Sequence, residues 1–160
     1  GMGAKYRDED LRYERVIIMT DADSDGGHIA SLLITFFYQE MPALIENGHL
    51  FLALPPLFKI SHKGETVYAR DERHRVEILE TTFKGRKPDV TRFKGLGEMN
   101  YKDLKSTTME PGKRTLLKVE ILEADKAEVA DAVNALMGSK PELRYRFIQE
   151  RAAFAKDLDI

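Results

Sequence analysis

Three aspartates spaced two apart, Asp21, Asp23 and Asp25, are followed at once by Gly26, Gly27 and His28. Carboxylates crowded onto one short loop repel each other unless a cation offsets them, and oxygen-only donors suit a hard ion such as Mg²⁺. The run Val16 to Thr20 before them is apolar and β-branched over a strand's length, and an amphipathic stretch begins near His28. Strand, acidic loop and helix is the arrangement in which open α/β sheets gather ligands at strand ends. His28, at the helix start, can cap and pack, or donate a hydrogen bond to a phosphate. Other readings of the triplet are weaker. An EF-hand loop needs a bidentate carboxylate at its twelfth position, where this chain has Leu32, and a helix in place of the strand before it. A phosphotransferase with Asp21 as nucleophile would share the Asp-x-Asp after a strand, but no companion motif follows. An acidic turn without function is the plainest alternative.

The second stretch with chemical content is Arg92-Phe93-Lys94-Gly95-Leu96-Gly97-Glu98-Met99-Asn100. Two glycines two apart let the backbone approach another chain segment or a ligand closely, and Lys94 can reach an anion. A Gly-x-Gly alone is as well explained by a turn; its setting adds weight. From Lys84 to Lys118 ten Lys/Arg face four Asp/Glu, so the rest of a chain of net charge −2 carries about −8. Such a run is either a solvated face or a surface for phosphate backbones.

The elements that must position these residues follow from periodicity. Ile29, Leu32, Leu33, Phe36, Phe37, Met41, Leu44 and Ile45 recur at helical spacing and predict a long helix burying one stripe, divided by Pro42 near Met41. Leu50 to Leu54 predicts a buried strand ended by Pro55-Pro56. Leu57–Ile60 and Thr66–Arg70 flank a hairpin turn at His62 to Glu65, and Asp71 caps a helix running to about Thr82. A short strand near Val90–Phe93, a short helix Tyr101–Thr107, a strand Thr115–Leu122, and helices Asp125–Met137 and Glu142 to about Lys156 complete the order. Residues 1–14 read as a lead-in loop. At 160 residues and 42% hydrophobic content one core is affordable, hardly two. With no cysteine, thiolate sites and disulfides are excluded. No signal-like start and no apolar run of membrane-spanning length is present, so a cytoplasmic protein is expected.

With both stretches in view, the chain resembles the B subunit of bacterial type IIA topoisomerases. Met19 to Gly26 resembles the Asp-x-Asp half of a Toprim domain, and His28-Ile29 with Phe93 to Asn100 narrows this to the B subunits. Thr35 to Tyr38, Gly48-His49-Leu50, Pro55-Pro56-Leu57, Thr107-Thr108-Met109 and the ending Asp157-Leu158-Asp159-Ile160 also fit. The topoisomerase IV branch is favoured over gyrase, from Ser24 and a short hairpin region. The resemblance implies an α/β fold: a partial Toprim domain with a Rossmann-like, mainly parallel sheet flanked by helices over residues 1–70, then an α+β carboxyl-terminal extension over 71–160. It implies Mg²⁺ held by Asp21 and Asp23, with Asp25 a neighbour that binds a second ion or tunes the first. His28, Arg92 and Lys94 would face DNA phosphates. No catalytic set is complete. The family's glutamate lies in a Glu-Gly-Asp-Ser-Ala stretch that this sequence lacks, and the nucleophilic tyrosine belongs to the A subunit, so none of the six tyrosines here is the nucleophile. ATP would act only through an amino-terminal domain absent from these residues. The implied partners are double-stranded DNA and the topoisomerase IV A subunit, in a heterotetramer of two A and two B chains associated with the nucleoid. Another Toprim enzyme, a primase or nuclease, is the alternative.

Overall fold

The computed structural model describes residues 1–152. The strands are β1 (Val16–Ile18), β2 (Leu50–Ala53), β3 (Phe58–His62), β4 (Glu65–Ala69), β5 (Asp89–Arg92) and β6 (Leu116–Lys118). The helices are α1 (Ser24–Glu40), α2 (Pro42–Glu46), α3 (Glu72–Glu80), α4 (Tyr101–Leu104), α5 (Lys126–Met137) and α6 (Pro141–Arg151). The chain divides into two compact units, one of Gly1–Val16, Ser31–Leu50 and the residues from Val119, the other of Ile17–Ala30 and Phe51–Lys118.

The second unit carries both sequence motifs. Its strands form two three-stranded sheets, ordered β1-β2-β6 and β4-β3-β5. The α/β class is as expected, but β2 with β6, β3 with β4 and β3 with β5 are all antiparallel. A mainly parallel arrangement was the expectation. For β3 and β4 the reason is connection length, as the hairpin turn expected at His62 to Glu65 implies. Lys63-Gly64 joins β3 to β4 with both residues at positive φ, 48° and 89°, a geometry that only an antiparallel hairpin accommodates. Phe58, Ile60, Ala69, Ile78 and Phe83 form the core beneath that sheet, with Phe83 and Ile60 essentially inaccessible. Asp71 caps α3, its carboxylate accepting the His74 N–H at 2.8 Å. The strand expected over Thr115–Leu122 shrinks to β6, whose Leu116, Leu117 and Lys118 stand in register with Ala53, Leu52 and Phe51 of β2.

α1 starts at Ser24, so Asp25, Gly26, Gly27 and His28 lie within its first turns; the glycines are helical, not a turn before it. The predicted break at Pro42 occurs, with Met41 between α1 and α2. The apolar stripe is a different matter. Leu44 and Ile45 are buried, whereas Ile29, Leu32, Leu33 and Phe36 remain 39–50% exposed. Periodicity fixes which face of a helix is apolar, not what covers it.

In the first unit, residues 1–14 are tethered rather than loose. His49 Nδ1 donates to the Glu14 carbonyl at 2.8 Å and Nε2 meets Asp8 Oδ2 at 3.2 Å. Tyr6 donates to the other oxygen of the same carboxylate at 2.8 Å. Both imidazole nitrogens thus face acceptors, and the ring satisfies both only as the cation. The Glu14 carbonyl, then the Asp8 carboxylate, raise the His49 pKa against a smaller opposing effect of burial. The Tyr6 hydroxyl above all holds Asp8 below the usual carboxylate range, while burial and Asp8 push Tyr6 up to about 12. Since His49 titrates higher when folded, its tether is complete below its unfolded value near 6.5 and is lost as pH rises through the raised value. Tryptic cleavage after Arg7 and Arg12 is therefore expected to accelerate above neutrality, and a His49→Gln variant to cleave at a pH-independent rate once the enzyme's own profile is subtracted. Parallel profiles for the two proteins would exclude His49 as the tether. At the other end of this unit, Arg144 caps α5, its Nε donating to the Leu136 carbonyl at 2.6 Å. The last helix expected to run to Lys156, and the motif at 157–160, extend outside the described residues.

Candidate functional site

The acidic loop is built by its own backbone. Asp23 Oδ1 accepts the Gly26 N–H at 2.7 Å, and the Asp23 carbonyl accepts from Gly27 at 3.0 Å. This is the local hydrogen bonding that makes aspartate start helices. It folds the loop tightly enough that a Cβ on Gly26 would stand 2.0 Å from the Asp21 carbonyl oxygen. Gly27, by contrast, faces open space.

The second motif comes to the first. Leu96 N–H donates to Asp21 Oδ1 at 2.7 Å, across 75 residues of sequence. The approach is so close that a Cβ on Gly95 would meet the Asp21 carboxylate carbon and Oδ2 at 2.8 Å. A Cβ on Gly97 would meet nothing within 4 Å among the described residues. One glycine of each pair is thus required by a close approach, whereas a Cβ at the other would meet no neighbour. The turn itself is closed by Glu98, whose Oε2 accepts the Lys94 N–H at 2.9 Å.

Asp21, Asp23 and Asp25 together line an open cleft of about 360 Å³ with Met19, Ile29 and Leu96. All three aspartates are exposed. Their chemistry suits a hard cation, and Asp21 Oδ2, Asp23 Oδ2 and the Asp25 carboxylate have no hydrogen-bond or ion-pair partner among the described residues. The fit is that of a partial site: among the described residues no three His, Asp or Glu side chains are grouped closely enough to hold a metal ion. His28 is exposed early in α1, Arg92 ends β5 opposite Phe58, and Lys94 is exposed at the turn. Among the described residues no hydrogen bond or ion pair joins these three side chains to the aspartates. The same geometry argues against Asp21 as a nucleophile, since one of its oxygens is engaged by a backbone donor and the other is pressed against Gly95.

Sequence reasoning missed the buried polar cluster that supports the second motif. Asp103 is 5% exposed and accepts from Lys59 Nζ at 2.9 and 3.1 Å, Tyr68 Oη at 2.7 Å and Asn100 Nδ2 at 2.7 Å. Asn100 in turn caps α4 through the Lys102 and Asp103 amides, both at 3.0 Å. Burial alone would raise the Asp103 pKa; the hydrogen bonds from Tyr68 and Lys59 outweigh it and hold the carboxyl below its usual range. The legible signal was Asn100 three residues before an acid at a helix start. Lys59 and Tyr68, on two other strands, gave none.

Residues 3–54 match the family model of the Toprim domain, and residues 85–149 match that of the carboxyl terminus of the DNA gyrase B subunit. The chain is 64% identical over 159 residues to the B subunit of DNA topoisomerase 4 from Caulobacter vibrioides, covering 99% of this chain and 23% of that relative. The corresponding protein of Bartonella bacilliformis is 60% identical over 161 residues, covering 100% of this chain and 23% of the relative. The DNA gyrase B subunit of Halalkalibacterium halodurans is 46% identical over 160 residues, 100% of this chain and 25% of the relative. The chain therefore spans about a quarter of the length of these relatives. Among the described residues no helix is long and apolar enough to cross a membrane.

Proposed function

We propose that this chain, which belongs to the family of bacterial type IIA DNA topoisomerase B subunits, supplies metal-binding carboxylates and DNA contacts for double-strand cleavage and religation. Identity to the topoisomerase IV relatives exceeds that to the gyrase relative, 64% and 60% against 46%, which favours decatenation and relaxation by a topoisomerase IV. The observation that carries the reading is the 2.7 Å bond from Leu96 to Asp21, since it joins the acidic loop to the basic 92–98 turn. Residues 1–70 act as the carboxyl-terminal half of the Toprim domain and 71–160 as its extension. The protein works in the cytoplasm, on the nucleoid.

Mg²⁺, when bound, supplies charge stabilisation to phosphoryl transfer. Asp21 and Asp23 would hold it, with Asp25 beside them. The chain's own residues do the positioning. Leu96 N–H fixes the rotamer of Asp21, Gly26 N–H fixes that of Asp23, and Lys94, Arg92 and His28 offer donors for backbone phosphates whose contacts set register without reading sequence. The nucleophilic tyrosine comes from an A subunit, and the general arrangement is two A and two B chains. ATP acts through another part of the full-length protein. A match to the gyrase B carboxyl terminus over 85–149 disfavours a primase or nuclease.

The test has two parts. The 160-residue chain is expected to show no relaxation or decatenation, alone or with an A subunit, and to bind Mg²⁺ only in the millimolar range, as two or three carboxylates make a poor cage for an ion that dehydrates reluctantly. Within a full-length B subunit paired with its A subunit, Asp23→Asn is expected to lower DNA cleavage by about 100-fold or more, since even outer-shell changes at metal sites cost 10–100-fold. Turnover by the isolated chain, or full cleavage by the variant, would sink the assignment.

A further inference from the structure

A second cleft in the Ile17–Ala30 and Phe51–Lys118 unit, of about 580 Å³, is lined by the three basic residues Arg70, His74 and Lys113. None of the described residues lining it is acidic. The Arg70 guanidinium has no ion-pair or hydrogen-bond partner among the described residues. Among the described residues the Lys113 ammonium meets Glu110 alone, at 3.2 Å on an exposed rim. His74 is fixed in one tautomer: its Nδ1 accepts the Arg70 N–H at 3.3 Å, so the proton sits on Nε2 and that nitrogen is a donor.

Ser106 and Thr107 also line it, from a π-helical turn, Lys105–Met109, closed by the Glu110 N–H bond to the Lys105 carbonyl at 2.8 Å. Turns of this kind are rare and recur at functional sites, where they re-aim side chains. Tyr68 lines the cleft too, and the Asp103 carboxylate that it meets is held by Lys59, so no unpaired negative charge lies behind that wall. Leu54, Pro56 and Val67 complete an apolar floor. The volume lies within the range of small-molecule sites, in which a few convergent polar groups orient a mostly apolar-lined ligand.

We propose that this cleft binds a phosphate ester of nucleotide size, its oxyanion held by Arg70 with His74 and Lys113 and its flat organic part lying on the apolar floor. The inference does not rest on the topoisomerase reading. Two sources present that chemistry: a free nucleotide, or one nucleotide unit of a nucleic acid strand. Arg70 and Leu54 also line a neighbouring cavity of about 500 Å³ that reaches Asp21 and Asp23, so a strand crossing the acidic loop would have a route here.

The experiment titrates the 160-residue chain with AMP and with inorganic pyrophosphate by calorimetry and by NMR. Saturable binding is expected, weakened about tenfold or more by Arg70→Gln, the loss of one charge-assisted hydrogen bond. Arg73→Gln makes the same charge change on α3 outside the cleft and is expected to bind like the parent. Neither variant removes a partner of a buried group, and unchanged melting temperatures check this. Displacement of AMP by a short oligonucleotide assigns the site to a strand, and failure to displace it assigns the site to a free nucleotide. No saturable binding of either probe, or equal weakening by the two substitutions, overturns the proposal.

Discussion

Gly26→Ala is expected to lose about 1–3 kcal/mol of stability, with the larger values favoured, while Gly27→Ala one residue on gains up to about 1 kcal/mol. The added methyl at 26 would stand 2.0 Å from the Asp21 carbonyl oxygen, and a backbone atom cannot rotate out of the way. At 27 a methyl meets open space inside a helix, where glycine is the poorer residue. Gly95→Ala extends the contrast to the second motif. Its methyl would sit 2.8 Å from the Asp21 carboxylate and force that side chain off the Leu96 N–H, whereas Gly97→Ala has room. Loss at 95 of about 1–3 kcal/mol is expected, against less than about 0.5 at 97. Thermal melts read all four, at roughly 2–4 °C per kcal/mol for a chain of this size. Mg²⁺ binding should fall with Gly26→Ala and Gly95→Ala beyond what the melts explain. Four equal responses would mean that neither close approach constrains the loop.

Asp103→Ala is expected to be as damaging, by about 2–4 kcal/mol. Removing one partner of a buried pair typically costs about 3–5 kcal/mol because the other charge is stranded. Lys59 retains 26% side-chain exposure, and the figure is lowered for the water that reaches it. Tyr68 and Asn100 lose their acceptor in the same step, and Asn100 is also the cap of α4. The double variant Lys59→Met with Asp103→Leu is expected to recover much of the loss, because no charge is then left buried. The carboxyl's folded pKa is lowered, so its stabilisation is complete above the unfolded value near 3.8 and fades as pH falls through the folded value. Acid melts of the parent should therefore steepen below about pH 4, and those of the double variant should steepen less. An Asp103→Ala protein melting within a degree of the parent would show the cluster to be incidental.

The α3 cap, the Lys63-Gly64 hairpin and the break at Pro42 were legible because each depends on residues within four positions of one another. Asp71 can only bond the amides next to it, and a proline's lost N–H acts on its own turn. The place of the acidic loop belongs with them: the pattern set Asp21, Asp23 and Asp25 between a strand and a helix, where β1 precedes them and α1 starts at Ser24. Pairing of distant segments was not legible in the same way. The antiparallel ladders of β2 with β6 and β3 with β5, the exposed face of α1, and the convergence of Lys59, Tyr68 and Asn100 on Asp103 each join positions tens of residues apart.

The two motifs show the division most sharply. The sequence by itself determined that a triplet of carboxylates ends a strand, that a flexible Gly-x-Gly turn sits in a basic run, and that the pair together resembles one family. Only the tertiary structure decided that the Leu96 amide closes on Asp21, and that Gly95 and Gly26 are indispensable while Gly97 and Gly27 are not. Composition records that a residue has no side chain. For Gly95, whether another atom occupies the space that side chain would fill depends on the Asp21 loop, far away in sequence, and local sequence carries no record of it; for Gly26 it depends on how its own loop closes on the Asp21 carbonyl.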